Sequence, residues 1–304
     1  MLKTIRFILP LTLLLGSCVQ ENEQEKHGTN AISVIDDSGV AVTLNSPAQR
    51  IIALAPSIVE NVYSAGAGEQ LVASVNFANY PPEAESLPRV GGYNAFNLES
   101  IAALEPDIIF VWRSGTPPAL IEKIKQLGIP IYFDEPSTMK DVAKSIRDIG
   151  KLTGHEEHAN QVADKYLNDL AKLKDAQTGK AQINVFYQVW DDPLYTINGK
   201  QIISDVLRLC GGVNIYADED IKAPIISLES LIERDPQAII TGSTHISSDT
   251  SLERWKKWPT MSAVKHENLF IVNADKISRH TARLLDGAAS VCEKLDIARK
   301  NIQQ

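Results

Sequence analysis

Cysteine, aromatic residues and long apolar runs are all scarce in this 304-residue sequence. Aromatic residues make up 6% of the chain, and beyond residue 15 no apolar run approaches the ~18 residues that a membrane-spanning helix needs. The net charge is −8, and no basic patch with interleaved aromatic residues occurs, so nucleic acid is not an expected partner. Neither a Gly-x-Ser-x-Gly elbow nor a phosphate-binding Gly-Lys-Ser/Thr loop is present, so we expect a protein that is not an enzyme.

Only the first residues have the composition of a targeting segment. Lys3 and Arg6 precede an apolar run at 7–15, which is too short to span a bilayer and is typical of a signal peptide. Two small residues then precede Cys18, an arrangement that resembles the lipobox of bacterial lipoproteins. We predict a signal peptide at 1–17 and lipidation of Cys18; an ordinary secretory signal with a chance cysteine is the alternative.

The next residues, 18–30, are polar and show no apolar periodicity, so they cannot bury enough surface to fold. We predict a lipid-anchored flexible tether that holds the exported body at the periplasmic face of a membrane. With Cys18 assigned to lipid, Cys210 and Cys292 remain. An even number of cysteines in an oxidising compartment favours one disulfide, and two separate buried thiols are the alternative.

From residue 31 onward, strand-like apolar runs alternate with helical patterns, which is typical of α/β lobes with mostly parallel sheets. A helical pattern at 155–176 joins the two groups of strands. We therefore predict an N-terminal lobe at 31–154, a bridging helix at 155–178 and a C-terminal lobe at 179–304. The predicted strands are 51–55, 71–75, 108–112 and 129–133 in the first lobe, and 183–189, 238–241 and 269–272 in the second.

The start of the first long helix carries a capping signal. Ser57 and Glu60 have the spacing of a capping box, in which each side chain accepts a hydrogen bond from the other residue's backbone N–H. We therefore predict that Ser57 caps this helix.

An internal repeat indicates that the two lobes are related. A Leu-Glu-Ser step begins at Leu98 and again at Leu228, and a proline follows at Pro106 and again at Pro236. Both pairs are separated by the same 130 residues. This period is too long for a solenoid and fits two lobes of equivalent fold.

Several segments together resemble the siderophore/B12 family of solute-binding proteins, and in particular its periplasmic vitamin B12-binding branch. They are DSGVAVTL at 37–44, RIIALAPS at 50–57, NYPP at 79–82, NLE at 97–99, VWR at 111–113 and CGGVNI at 210–215. The resemblance implies two Rossmann-like α/β lobes with central parallel sheets, bridged by a single long helix, which is the class III architecture. It also places Cys292 where that branch has the disulfide partner of the earlier cysteine.

The functional implications of the resemblance are a ligand held between the lobes and little hinge closure on binding. The implied ligand is cobalamin or a related corrinoid, which is transported and is not a cofactor. The implied partner is the membrane part of an ABC importer, and the binding protein is expected to be a monomer. The alternatives are a ferric siderophore or haem carrier of the same fold, and an enzyme or sensor lipoprotein that reuses it.

The candidate ligand residues are aromatic side chains near the carboxyl ends of predicted strands, where open α/β sheets bind ligands. A loop predicted at 275–279, called the late loop below, is added by resemblance. By resemblance, Phe77, Tyr93, Trp112 and Tyr195 stand at ligand-contacting positions, although each is also compatible with simple packing. Ala223 and Lys276 stand where the B12-binding branch has aromatic residues. The full candidate set is Phe77, Tyr80, Tyr93, Phe96, Trp112, Trp190, Tyr195, Asp275, Lys276, Ile277, Ser278 and Arg279.

Two acids of the repeat are candidates for docking. Glu99 and Glu229 each fall in the first turn of a predicted helix, where a carboxylate interacts favourably with the helix dipole. The resemblance implies a further role, because family members pair one such acid per lobe with arginines of the importer. His155 and His158 have a spacing that could share a metal, but an exposed polar turn explains them better, so no metal is expected. His280, beside the late loop, is a further possible ligand contact.

Overall fold

The computed structural model describes residues 31–303, so the predicted signal peptide, Cys18 and the whole predicted tether lie outside the described residues. In the sequence of the N-terminal lobe, two helices precede the strand at Ile108–Trp112 and two follow it. Its strands are β1 (Ile32–Ile35), β2 (Ala41–Leu44), β3 (Ile51–Ala53), β4 (Leu71–Ala73), β5 (Gly91–Gly92), β6 (Ala95–Phe96), β7 (Ile108–Trp112) and β8 (Ile131–Asp134). Its helices are α1 (Pro56–Ser64), α2 (Leu98–Ala103), α3 (Pro118–Lys125) and α4 (Asp141–Thr153).

One long helix, α5 (Glu156–Gln177), follows and leads into the C-terminal lobe. The strands of that lobe are β9 (Ile183–Gln188), β10 (Trp190–Asp191), β11 (Leu194–Tyr195), β12 (Gly212–Asn214), β13 (Ala238–Ser243) and β14 (Leu269–Asn273). Its helices are α6 (Ile202–Leu209), α7 (Leu228–Arg234), α8 (Ser262–Lys265), α9 (Ala274–Ile277) and α10 (Leu284–Ile302).

Each lobe is built on a parallel sheet of four strands. The order is β4-β3-β7-β8 in the first lobe and β12-β9-β13-β14 in the second. Strand β7 is buried along nearly its whole length because helices cover both faces of the sheet, which is why its sequence is continuously apolar. The predicted fold class, two parallel-sheet α/β lobes joined by one helix, is confirmed.

The internal repeat is a structural repeat. Asn97 and Ser227 cap α2 and α7 by accepting hydrogen bonds from the backbone N–H groups of Ser100 and Ser230. Glu105 and Asp235, again 130 residues apart, both adopt positive φ, at 47° and 38°, just before the central strand of their lobe. The same helix–turn–strand unit has therefore been used once in each lobe.

Helix α5 crosses from one lobe to the other with one face against the protein. Ala159, Ala163, Tyr166 and Leu170 are buried on that face. The Tyr166 hydroxyl donates a hydrogen bond of 2.8 Å to the Met139 carbonyl, which fixes the helix to the first lobe. Within residues 31–303, no helix combines the length and the apolar composition that a bilayer crossing requires.

The predicted capping box at Ser57 and Glu60 is wrong. Helix α1 begins one residue earlier, at Pro56, with Ala55 at the N-cap position and no side-chain cap. Because the helix starts early, Glu60 lies beyond the first turn and is buried against the other lobe instead.

The predicted disulfide is confirmed. Cys210, which ends α6, is bonded to Cys292 in α10, with a distance of 4.7 Å between the two Cα atoms. Both cysteines are buried, and the bond ties the first helix of the C-terminal lobe to its last one.

Candidate functional site

A cavity of about 340 Å³ lies between the lobes, at the carboxyl ends of both sheets. Strand β7 brings Trp112 to it from the first lobe, and β9 brings Gln188 from the second. This is the position where open α/β sheets generally bind ligands. Other side chains that line the cavity are Ser114, Glu135, Tyr187, Lys200, Gln201, Lys222, Ser278 and His280.

Trp112 is the central aromatic residue of this cavity. It is the last residue of β7 and is only partly buried. Its indole meets the imidazole of His280 edge to face, with 5.9 Å between ring centroids and 84° between planes. Gly115 lies directly against the indole, so that a side chain at this position would clash with the ring.

His280 presents a neutral imidazole to the cavity. Its side chain is 6% exposed, and this burial lowers the pKa of His280 from 6.5 to about 4. Glu135, which raises the pKa, and Lys222, which lowers it, have smaller effects. The floor of the cleft is therefore uncharged at His280 near neutral pH.

An ion pair between two lining residues of the cavity joins the lobes. Lys222 of the second lobe lies 2.6 Å from Glu135 of the first, which also accepts hydrogen bonds from the N–H and hydroxyl of Ser114. Burial acts to raise the pKa of Glu135, but the hydrogen bonds from Lys222 and Ser114 outweigh it and hold the pKa below its usual value. Glu135 is thus a carboxylate whose charge is compensated before any ligand binds.

A larger groove of about 940 Å³ lies on the outer side of this ion pair. It runs between α3 and β8 and shares Ser114, Glu135 and Lys222 with the interlobe cavity. All of its lining residues except Lys222 belong to the first lobe, so it does not lie at the strand ends of both sheets. We therefore place the candidate site in the interlobe cavity.

Several large aromatic side chains are exposed in segments close in sequence to the strands of the two lobes. Phe77 is 82% exposed, Tyr93 is 68% exposed and Trp190 is 61% exposed. Tyr80 is also exposed, and Tyr195, paired with Trp190 across the β10–β11 hairpin, is half-buried. Exposed aromatic surface of this extent is typical of a binding site.

Two of the predicted ligand residues lie elsewhere. Phe96 and Ile277 are buried in the hydrophobic core, where a ligand in the cleft cannot reach their side chains. The prediction that they contact ligand is corrected for this reason: each lies beside a loop at the cleft but turns inward.

The segment predicted as a late loop, 275–279, is mostly helical, because its first three residues belong to α9, and its charged side chains form ion pairs. Asp275 lies 2.8 Å from Arg279, and Lys276 lies 3.0 Å from Asp286. Arg279 is buried, and its other donors are used on Glu60 and on the Phe77 carbonyl. Of this loop, Ser278 is exposed and lines the cavity.

The two predicted docking acids are exposed at equivalent places. Glu99 is in the first turn of α2, and Glu229 is in the first turn of α7. Within residues 31–303, neither forms an ion pair with another side chain. Over the same range, no cluster of three or more His, Cys, Asp or Glu side chains is arranged to hold a metal ion.

Sequence reasoning did not identify Glu135, Lys222 and Gln188 as cleft residues. Glu135 and Lys222 are separated by 87 residues, and neither belongs to a motif. Glu135 comes directly after β8, and polar residues that follow a strand reach the ligand-binding edge of a parallel sheet, so its position is a local signal. Lys222 lies in the loop before Pro224 and has no comparable signal.

A family model described as "Periplasmic binding protein" matches residues 51–275 of the chain. The chain is 36% identical over 255 residues to a vitamin B12-binding protein of Vibrio cholerae, an alignment that covers 84% of this chain and 91% of that protein.

Solved structures agree with this relationship. The periplasmic vitamin B12-binding protein BtuF of Vibrio cholerae superposes with a TM-score of 0.78 at 35% identity, covering 84% of this chain and 99% of that one. The periplasmic haem-binding protein RhuT of Roseiflexus sp. RS-1 superposes with a TM-score of 0.72 at 20% identity, covering 82% and 99%. At that identity the second likeness concerns the fold alone.

Proposed function

This chain belongs to the periplasmic binding protein family, and we propose that it captures cobalamin or a related corrinoid between its lobes and delivers it to an ABC importer. The observation that carries the proposal is the set of exposed aromatic side chains that both lobes present, which includes Phe77 and Tyr93 in the first lobe and Trp190 in the second. The similarity to B12-binding relatives over most of both chains supports the same ligand class.

The chemistry of the cleft suits a large, flat and mostly uncharged ligand. A corrinoid has two broad apolar faces and a fringe of amides. Aromatic rings can cover the faces, while Ser114 and Gln201 offer hydrogen-bonding groups to the amides. Because a corrinoid is larger than the cavity, it would extend from the cavity floor to the exposed aromatic residues above.

The charges of the cleft favour this ligand over an anionic one. A ferric siderophore or haem carries carboxylates or other anionic groups that call for unpaired cations. Here most cations near the cleft are already paired, Lys222 with Glu135 and both Arg279 and Arg283 with Glu60. Lys200, which lines the cavity, is the exception within residues 31–303. The haem-binding structural relative shares the fold without sharing this sequence, so it does not favour the alternative.

Family membership also supports a periplasmic location and a binding role in place of catalysis. We further propose that the protein is a monomer, is exported by its signal peptide and is attached to a membrane through Cys18, on the strength of the lipobox. No bound cofactor is needed in this account, because the corrinoid is the transported ligand.

Titration calorimetry of the mature protein tests the ligand. Cyanocobalamin is expected to bind with one molecule per chain, while hemin and a ferric hydroxamate siderophore bind much more weakly. Saturable binding of hemin or the siderophore, with none of cyanocobalamin, would replace the proposal by its alternative.

Trp112→Ala is expected to weaken cyanocobalamin binding by about 1–3 kcal/mol, the scale of burying one large apolar side chain. The reason is that Trp112 supplies the aromatic surface at the centre of the cavity. Calorimetry of the variant measures the loss, and Trp258→Ala serves as control because Trp258 packs on Trp255 outside the cavity. Unchanged affinity in the Trp112 variant would remove it from the site.

Glu99→Ala/Glu229→Ala is expected to abolish most uptake through the importer while leaving ligand affinity unchanged. Both acids are exposed on equivalent helices, one per lobe, as docking to a two-fold transporter requires. Transport into vesicles that contain the importer is the measurement. If the acids serve only the helix dipole, uptake will be normal and the melting temperature slightly lower.

Cys18→Ser is expected to release the folded protein from the membrane. Within residues 31–303 no helix is able to cross a membrane, so attachment of the folded body is expected to depend on the lipid. Membrane fractionation of cells that express the variant checks this, with wild type as reference. A variant that stays with the membrane would contradict the lipid-anchor assignment.

A further inference from the structure

Glu60 is a buried carboxylate that the proposed binding of a ligand does not explain. It lies on α1 of the first lobe and is 2% exposed. Its Oε1 accepts hydrogen bonds from Arg279 at 2.8 Å and Arg283 at 3.2 Å, and its Oε2 accepts one from the Thr281 hydroxyl at 3.0 Å. All three donors come from the segment before α10 in the second lobe.

Such an arrangement is not explained by stability alone. A buried charge has to be paired, and a buried ion pair often contributes no more to stability than apolar residues of the same volume. A second contact, from the Asn61 side-chain amide to the His280 carbonyl at 3.0 Å, already joins α1 to the same segment. The question is therefore what the two arginines do beyond Glu60.

Arg279 and Arg283 also contact the loop from Phe77 to Tyr80 in the first lobe. Arg279 donates a hydrogen bond of 3.2 Å to the Phe77 carbonyl. The guanidinium of Arg283 lies over the ring of Tyr80, 3.8 Å from its centroid. The segment from Phe77 to Tyr80 is thus held by two side chains of the opposite lobe, and both of these are held by one carboxylate.

Within its own lobe the loop is supported by Arg89, which donates hydrogen bonds to the Val75 and Ala78 carbonyls but not to that of Phe77. Phe77 has φ of 66°, in the left-handed region that bulky residues seldom occupy and that persists only where the surroundings enforce it. Its side chain is exposed, so packing of the ring does not hold the backbone. The hydrogen bond from Arg279 acts directly on the carbonyl of this strained residue.

We propose that Glu60 is a positioning residue for the ligand site: it orients Arg279 and Arg283, which in turn hold the Phe77–Tyr80 loop at the cleft. The effect of Glu60 on ligand affinity rests on the proposed function, in which this loop forms an aromatic wall for a corrinoid. The role in ordering the loop stands on the geometry of the ligand-free protein.

Hydrogen exchange of the ligand-free protein tests the ordering. The Asn76 and Ala78 amides are hydrogen-bonded to the Gly91 and Val75 carbonyls, so they report on the loop. In Glu60→Gln they are expected to exchange about tenfold faster, while amides of α4 keep their wild-type rates. Glu69→Gln, at an exposed glutamate of the same lobe, is the matched control and should change neither.

Unchanged protection at both amides in a folded Glu60→Gln protein would overturn the proposal. Should that variant fail to fold, Glu60→Asp replaces it, because the shorter side chain keeps the charge but cannot reach all three donors. Its loop amides are expected to exchange faster than wild type, and wild-type protection there would equally overturn the proposal.

A double-mutant cycle tests how the effect reaches the ligand. In the wild-type background, Glu60→Gln is expected to weaken cyanocobalamin binding about tenfold. In the Phe77→Ala/Tyr80→Ala background, the same substitution is expected to weaken binding less than about twofold, because the loop through which Glu60 acts has lost its aromatic surface. Equal losses in both backgrounds would show that Glu60 acts on overall structure and would overturn the positioning role. If wild type does not bind cyanocobalamin, the proposed function fails, and the exchange result still decides whether Glu60 orders the loop.

Discussion

Cys210→Ala/Cys292→Ala is expected to lower the free energy of unfolding by about 4–5 kcal/mol, the chain-entropy value for a loop of this length. The two cysteines are 82 residues apart, so the bond removes many conformations from the unfolded chain. Both side chains are buried, and alanine leaves little strain at either position. Most of the effect is therefore expected to come from the unfolded state.

Urea denaturation at equilibrium measures this difference, and the wild-type protein with its disulfide reduced is the matched control. The reduced wild type and the double variant should unfold at similar urea concentrations, both well below that of the oxidised protein. Cyanocobalamin affinity should stay within about twofold, because neither cysteine lines the cavity and Cys210 follows the end of α6 opposite to Ile202 and Ile203, which do. Equal stability of oxidised and reduced wild type would contradict the prediction.

The elements that local sequence patterns determine were predictable. Strand β7 is continuously apolar because it is central in a parallel sheet, and the repeat of the Leu-Glu-Ser step located α2 and α7 together with the strands that follow them. The disulfide followed from the cysteine count once Cys18 was set aside. In each case the information lies within a short segment or in a simple count.

The direction of individual side chains was less predictable. Phe77 and Phe96 both lie in segments of the first lobe that the sequence pattern does not assign to a strand, yet one is exposed and the other lies in the core. The difference arises from the β5–β6 hairpin, which turns Phe96 inward. Sequence alone does not specify such a turn when its two strands have two residues each.

Long-range ion pairs were not predictable at all. Glu60 and Arg279 are 219 residues apart, and the local spacing of Ser57 and Glu60 indicated a capping box that does not form. The same holds for Glu135 and Lys222, which meet only because the two lobes are placed face to face. Contacts between lobes depend on the relative orientation of two folded units, and no short segment encodes that.

His280 is expected to make the protein less stable as the pH falls from about 6.5 to about 4. Burial lowers the pKa of His280 to about 4 in the folded protein, against 6.5 for an ordinary histidine. Between these values the unfolded chain binds a proton that the folded protein does not, so the free energy of unfolding decreases with falling pH. The full loss is about 3 kcal/mol, and below pH 4 no further loss arises from this group.

The measurement is the difference in unfolding free energy between wild type and His280→Asn at several pH values from 4 to 7.5. A difference is needed because burial raises the pKa of Asp134 to about 7, so the folded protein binds that proton before the unfolded chain does. Asp134 therefore adds stability as the pH falls through the same range, and the two effects partly cancel in wild type. Against His280→Asn, the contribution of Asp134 drops out and the wild type should lose relative stability towards pH 4. The control is His245→Gln, at an exposed histidine, whose unfolding free energy should run parallel to that of wild type at every pH. If the unfolding free energy of His280→Asn also ran parallel to that of wild type, the imidazole of His280 would not be held neutral.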